Sequence, residues 1–263
     1  MAYLTINYES KALGMPVMIS ALIPQGRGNY KTLYLLHGAG GDYTTWVTRS
    51  KAAEYVENTN IAVIMISANN KCYVDNVHGK KYFQFLTDEL IRTCTDWFGL
   101  STKREDTYIA GMSMGGYGAV NAALKKPEKY KAAFCYSGLL NIKERYENPQ
   151  GLEMYPVFGS EEDFNKYGFD LFKLIKHIDN KDILENVDKY PKIYERCGLQ
   201  DTRINMSRDF YKAAKEKGLD IDYYESYGGH DFEYWDKCIH ETIKIIQESK
   251  YRKEDIYGNN NEC

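Results

Sequence analysis

The chain has 263 residues, with 34 Lys plus Arg against 37 Asp plus Glu, a formal charge of -3 and 43% hydrophobic residues. That length and apolar content suit one large core, and the interleaved charges, as in Lys103-Arg104-Glu105-Asp106, leave no basic stripe for a nucleic acid. No stretch approaches the roughly 18 consecutive apolar residues of a membrane span, and the N-terminus lacks a signal-peptide pattern, so the expectation is a cytoplasmic chain without a membrane partner.

Two β-compatible stretches come first, Leu4–Tyr8 and Val17–Ile23, separated by Gly14-Met15-Pro16 and closed by Pro24 and Gly26, the punctuation of an opening hairpin. Short apolar runs then alternate with long amphipathic segments. Strands are expected at Thr32–Leu36, Ile61–Ser67, Thr107–Ala110, Ala132–Tyr136, Ile193–Cys197 and Ile221–Ser226. Several are apolar on both faces, which predicts an α/β fold: a mostly parallel central sheet with helices on both faces and the hairpin at an antiparallel N-terminal edge.

Phe83, Leu86, Leu90, Thr93 and Trp97 recur at helical steps with Gly99 placed to end the helix. Phe210, Ala213, Ala214 and Gly218 repeat the scheme after Ser207, and a last helix carries Trp235, Cys238, Ile239, Thr242, Ile243 and Ile246. The block 139–190 breaks the rhythm with Pro149, Pro156 and the helix-like DLFKLIKHI; within a single 1–263 domain it reads as an insertion or lid, or as a surface excursion without chemistry. Past Glu248 the chain turns polar and is expected to fray. The six cysteines are widely spaced with no CxxC pair, which indicates neither a disulfide scaffold nor a thiolate metal site; Cys94, Cys135 and Cys238 read as small core residues.

The sharpest chemical signal is Gly111-Met112-Ser113-Met114-Gly115-Gly116, a GxSxG pentapeptide with one further glycine, after the strand-like TYIA and before the helix-forming YGAVNAALKK. A serine on a tight strand-to-helix turn projects its hydroxyl above the sheet, and the helix start offers N–H groups to a developing oxyanion. Serine needs a base. Of five histidines, His230 is the one in a loop between the final strand and the final helix, at the sheet edge where a doubly wound fold presents its loops. Asp201, just past the IYERC strand, emerges at the same edge and is the expected acid, giving the chain order Ser113, Asp201, His230; Asp231 is too close in sequence to reach the inner ring nitrogen of His230. The loop His37-Gly38-Ala39-Gly40-Gly41-Asp42 can converge backbone amides on one point. The expected oxyanion donors are the Met114 and Ala39 amides, with Gly40 as fallback, and His37 is expected to pack behind the loop.

These segments together, YLLHGAGGDYTTW (34–46), STKREDTYIAGMSMGGYGA (101–119), YSG (136–138), GLQD (198–201) and YGGHDFEYWD (227–236), resemble the esterase D-like family of α/β-hydrolases, above all its bacterial tributyrin esterases and the related acetylxylan and feruloyl esterases. The resemblance runs over residues 3–248. It implies an α/β-hydrolase fold, Ser113 as nucleophile, Asp201 as acid and His230 as base. Formylglutathione hydrolases share fold and triad, but their loop resembles SGLTC where this chain has HGAGGD, which counts against that substrate. Mycolyltransferases are related too, yet would need a secretory start.

The expected reaction is two-step acyl transfer on a small-molecule ester, with no cofactor and no metal. A carboxylesterase for short acyl esters comes first, and an acetylxylan or feruloyl esterase acting on acylated oligosaccharides second. A zinc deacetylase lacks its HxxH or HExxH cluster, and a catalytically silent scaffold would miss a triad member. Trp46, Tyr73, Tyr117, Tyr155, Phe158 and Trp235 lie near the motifs or in the insertion and are candidates to flank the substrate.

Overall fold

In a computed structural model, which describes residues 1–25, 30–149, 154–179, 183 and 189–249, all eight expected strands form: β1 (Ala2–Ser10), β2 (Met15–Ile23), β3 (Lys31–Leu36), β4 (Ile61–Ile66), β5 (Thr107–Met112), β6 (Ala132–Tyr136), β7 (Lys192–Gly198) and β8 (Ile221–Ser226). They make one sheet in the order β1-β2-β4-β3-β5-β6-β7-β8. β1 and β2 pair antiparallel from Ala2 opposite Ile23 to Ser10 opposite Met15, around a turn in which Gly14 takes φ +57°. β2 pairs antiparallel with β4, and every later pair is parallel. The chain therefore has the α/β-hydrolase-like arrangement, an antiparallel edge on a parallel core.

Burial explains the order. β3, β4, β5 and β6 are buried at every position, so they can sit only in the middle with helices on both sides. β1 is exposed or half-buried at every position but Ser10 and takes the edge. Successive residues of β3 serve opposite cores: Tyr34 and Leu36 pack with the helices Leu90–Phe98, Met114–Lys125 and Ile204–Lys217, while Leu33 and Leu35 pack with Trp46 and the helix Phe232–Glu248. The Leu90–Phe98 helix ends on left-handed Gly99 and the Ile204–Lys217 helix on left-handed Gly218. The latter begins before Ser207, the residue expected to open it, because the Ser207 hydroxyl is turned inward to Glu195 Oε1 at 2.6 Å. Cys72, Cys94, Cys135, Cys197 and Cys238 are free thiols in the interior.

The described parts of the 139–190 block are short helices, Ile142–Glu147, Met154–Phe158, Glu161–Lys166 and Leu171–His177. DLFKLIKHI is the last of them, with Asp170 accepting from the Phe172 and Lys173 amides as its N-cap. Tyr146, Phe158, Phe164 and Phe169 form an aromatic cluster that joins the main core, and Tyr117 Oη donates to the Phe169 carbonyl at 2.8 Å. The polar C-terminal stretch expected to fray lies, from 250 onward, outside the described residues. Among the described residues no helix is long and apolar enough to cross a membrane.

Candidate active site

β3 lies between β4 and β5, so the chain leaves β3 toward one side of the sheet and comes back to pair on the other. The crevice at such a switch point, beyond the C-terminal ends of parallel strands, is where open α/β sheets bind ligands. The HGAGGD loop follows β3 and Ser113 follows β5, which brings them together there.

Ser113 has φ 55° and ψ -115°, a region that side-chain-bearing residues rarely adopt. The turn is held by Ser113 N–H donating to the Tyr136 carbonyl at 2.8 Å and by Leu139 N–H donating to the Ser113 carbonyl at 2.9 Å. The glycines permit it. A Cβ on Gly111 would fall on the Gly115 carbonyl, and one on Gly115 would lie 2.6 Å from the Leu36 oxygen and 2.7 Å from that of His37, so strand and helix touch backbone to backbone.

The Ser113 hydroxyl lies 3.1 Å from His230 Nε2, and His230 Nδ1 lies 2.9 Å from Asp201 Oδ2. The structure thus brings together the three residues expected from the sequence. With Asp201 as acceptor, Nδ1 carries the proton and Nε2 is left to accept from the serine. The Asp201 side chain is fully buried. Burial works against its ionisation, but hydrogen bonds from His230, Ser137 and the Arg203 amide prevail and hold the carboxyl below its ordinary value of 3.8. Asp231 instead caps the last helix, accepting from Tyr234 N–H at 3.0 Å. The other histidines are engaged elsewhere: His240 stacks on Tyr55, His177 Nδ1 meets the Lys173 carbonyl and His78 lies against Tyr155.

His37 is buried behind the glycine loop. Its Nε2 accepts from Ala68 N–H at 3.0 Å, which fixes the proton on Nδ1, where it is donated to the Gly38 carbonyl at 2.6 Å. Burial pushes its pKa down, so it is a neutral brace for the loop, as expected. Gly40 N–H donates to Asn70 Oδ1 at 2.7 Å, which commits the fallback oxyanion donor to a loop contact.

A cavity of about 440 Å³ opens over Ser113, lined by the 38–41 loop, Thr45, Arg49, Met112, Arg203, His230, Asp231, Phe232 and Trp235. A larger groove of about 700 Å³ lies at the antiparallel edge between Tyr8 and Trp97, but it is lined by no serine, histidine or cysteine and so holds no serine–histidine pair. Of the six aromatic candidates only Trp235 lines the site cavity, its ring edge-on to His230 and its Nε1 donating to Ser137 Oγ at 3.2 Å. The other five do not line it. Trp46, Tyr73, Tyr117 and Phe158 are core residues; Trp46 Nε1 donates to the Leu36 carbonyl and Tyr73 Oη to that of His37, while Tyr155 is exposed away from the cavity. Two residues of the site were not foreseen. Ser137, in the YSG segment, links Trp235 to Asp201, and Arg203, two residues past the acid, reaches His230 with its Nε 3.4 Å from Nε2. Among the described residues no cluster of three or more His, Cys, Asp or Glu could hold a metal ion.

The family model described as "Putative esterase" matches residues 10–244. An acetyl esterase of Caldicellulosiruptor saccharolyticus is 33% identical over 258 residues, 91% of this chain and 96% of that protein. Among solved structures, the fluorophosphonate-binding serine hydrolase FphF of Staphylococcus aureus superimposes with a TM-score of 0.85 at 26% identity, covering 93% of this chain and 98% of that one. The S-formylglutathione hydrolase FrmB of the same organism gives 0.81 at 27%, covering 93% and 98%.

Proposed function

This chain belongs to the esterase family, and from that membership and the geometry of the site we propose that it is a serine carboxylesterase for short-acyl esters, with Ser113 as nucleophile, His230 as base and Asp201 as acid. The observation that carries this reading is the hydrogen-bonded chain Ser113–His230–Asp201 on a strained strand-to-helix turn, open to a cavity.

In the first step the Ser113 Oγ–H proton passes to His230 Nε2 as Oγ attacks the ester carbonyl carbon; the carbonyl π electrons move onto oxygen, held by the Met114 and Ala39 amides. Commitment of the Gly40 amide to Asn70 supports Ala39 as the second donor. Collapse of the tetrahedral adduct breaks the bond to the alkoxide, which takes the proton from His230 and leaves as alcohol. Water then adds to the acyl-enzyme with His230 again as base, and Ser113 is released with the carboxylic acid. Asp201 keeps the proton of the resting imidazole on Nδ1 and faces the charge that appears when Nε2 is protonated.

The acyl group is taken as acetyl to butyryl, supported by the acetyl esterase at 33% identity. An apolar pocket discriminates one methylene by only about 1–3 kcal/mol, so efficiency should fall gradually with chain length. The test is a panel of kcat/KM for acetyl, butyryl, octanoyl and feruloyl esters and for acetylated xylo-oligosaccharides. Highest efficiency on acetyl or butyryl esters of simple alcohols supports the reading. A feruloyl ester or xylo-oligosaccharide ahead by an order of magnitude would replace it with a plant cell-wall esterase.

A further inference from the structure

Arg203 is bound into the site at both ends. Its backbone N–H donates to Asp201 Oδ1 at 2.8 Å, and its side chain runs back so that Nε lies 3.4 Å from His230 Nε2, the same nitrogen that faces Ser113 Oγ at 3.1 Å. The Nη1 group of this guanidinium is buried and has no hydrogen-bond partner. Of the charges around it, Asp201 is shared with His230, and Glu144 on the favourable side is set against a second positive charge from Arg145. Arg49 lines the same cavity, its guanidinium carbon 4.2 Å from the Phe232 ring centre, so the lining carries two guanidinium groups against one carboxylate, Asp231, which caps the last helix.

This placement matters most during turnover. When His230 Nε2 takes the serine proton, the imidazolium forms beside a guanidinium, and like charges oppose that step unless an anion lies between or beside them. Asp201 lies on the Nδ1 side of the ring and the developing oxyanion is held by the loop amides, so on the Nε2 side that faces Arg203 a neutral ester brings no anion. A carboxylate on the substrate would pair with the part of the guanidinium that lines the cavity and offset the repulsion as His230 becomes charged. His230 Nε2 must also hand its proton to the leaving oxygen, so a group held by Arg203 at that atom belongs to the alcohol part of the ester.

We propose that Arg203 is a specificity-determining residue that binds a carboxylate carried on the alcohol part of the ester, so that the favoured substrates are short-acyl esters of anionic alcohols. The inference rests on the esterase reading above.

The test compares kcat/KM for 3-acetoxybenzoate with that for its methyl ester, which has the same scissile bond without the charge. Wild type, Arg203→Met and Arg203→Lys are assayed at neutral pH and at low and high salt, with 4-nitrophenyl acetate as a general esterase control. Wild type should favour the anionic ester. Arg203→Met should lower the anionic-to-neutral ratio by about tenfold or more, the scale of one charge-assisted hydrogen bond, and Arg203→Lys should recover part of it. High salt should compress the wild-type ratio toward that of Arg203→Met. A ratio that is the same in wild type and Arg203→Met, with both esters slowed alike, would assign Arg203 a structural role and overturn the proposal while leaving the esterase intact. Turnover of none of the three esters by wild type would overturn the esterase reading and this inference with it.

Discussion

Glu195 gives the account a thermodynamic test that does not depend on catalysis. It lies on β7, fully buried, with Oε1 accepting from Ser207 Oγ at 2.6 Å. Burial pushes its pKa up to about 7, against the opposing effect of hydrogen bonds from Cys135 and Ser207 and of the Arg196 charge. Because the folded-state value lies above the unfolded one, the native protein holds this proton longer. Stability is therefore unpenalised below the unfolded value, declines as the pH rises through the interval, and carries the full cost once the pH exceeds the folded value. The gap from 4.5 to about 7 corresponds, at ~1.4 kcal/mol per pH unit, to about 3 kcal/mol. Glu195→Gln keeps the shape and the acceptor for Ser207 but cannot ionise; any cost of its buried amide is the same at every pH. Melting temperatures of wild type and Glu195→Gln are compared at pH 5 and pH 8.5. The variant should gain on wild type between the two by roughly 6–12 °C, taking 2–4 °C per kcal/mol for a chain of this size. A difference that does not change with pH would show that Glu195 titrates as an ordinary carboxylate and would refute the argument from burial.

Three further outcomes follow from the site and the core. His230→Ala should lower turnover of a 4-nitrophenyl acetate or butyrate ester by about 10²–10⁴-fold, whereas His240→Ala, which only removes a ring stacked on Tyr55, should leave it near wild type; the reverse pattern would reject the assignment of the base. Asp201→Asn should keep the fold by circular dichroism and reduce kcat by about 10⁴-fold through the wrong imidazole tautomer. The Asp201 carboxyl is held below 3.8, so its stabilisation is present above that value and lost as the pH falls through its folded value; acid unfolding of Asp201→Asn should lack this component. Phe158→Ala should destabilise by about 3–5 kcal/mol in urea unfolding, as expected for a fully buried aromatic, and leave the acyl-chain preference where it was; a changed preference would put Phe158 back at the substrate.

The sheet was legible in the sequence because burial on both faces writes continuous apolar runs into β3 to β6, and because Gly14 and Pro16 punctuate the hairpin. The meeting of Ser113, Asp201 and His230 was legible for a topological reason: each follows a strand whose C-terminal end lies at one edge of a parallel sheet. What failed was everything set by packing between distant segments. Tyr117 lies beside the serine motif and Phe158 within the 139–190 block, but Phe158 turns into the aromatic cluster of that block and Tyr117 is tied to Phe169 beneath it. Ser207 looked like a helix start because serine commonly caps one, yet a buried carboxylate on β7 claims its hydroxyl. Arg203 carried no local signal beyond its position two residues past the acid; its reach to His230 exists only once the loops after β7 and β8 are side by side. Ser160-Glu161-Glu162-Asp163, by contrast, forms a capping box whose spacing is visible in the chain and marks the start of a short helix.

The central claim is that Ser113 is the nucleophile, and an active-site-directed organophosphonate tests it most directly. Intact-mass measurement should show one equivalent bound as hydrolysis of a chromogenic acetate ester disappears, peptide mapping should place the adduct on Ser113, and Ser113→Ala should remain folded, bind no phosphonate and lose most turnover. An adduct on another residue, or an alanine variant that hydrolyses the ester at the wild-type rate, would contradict the account.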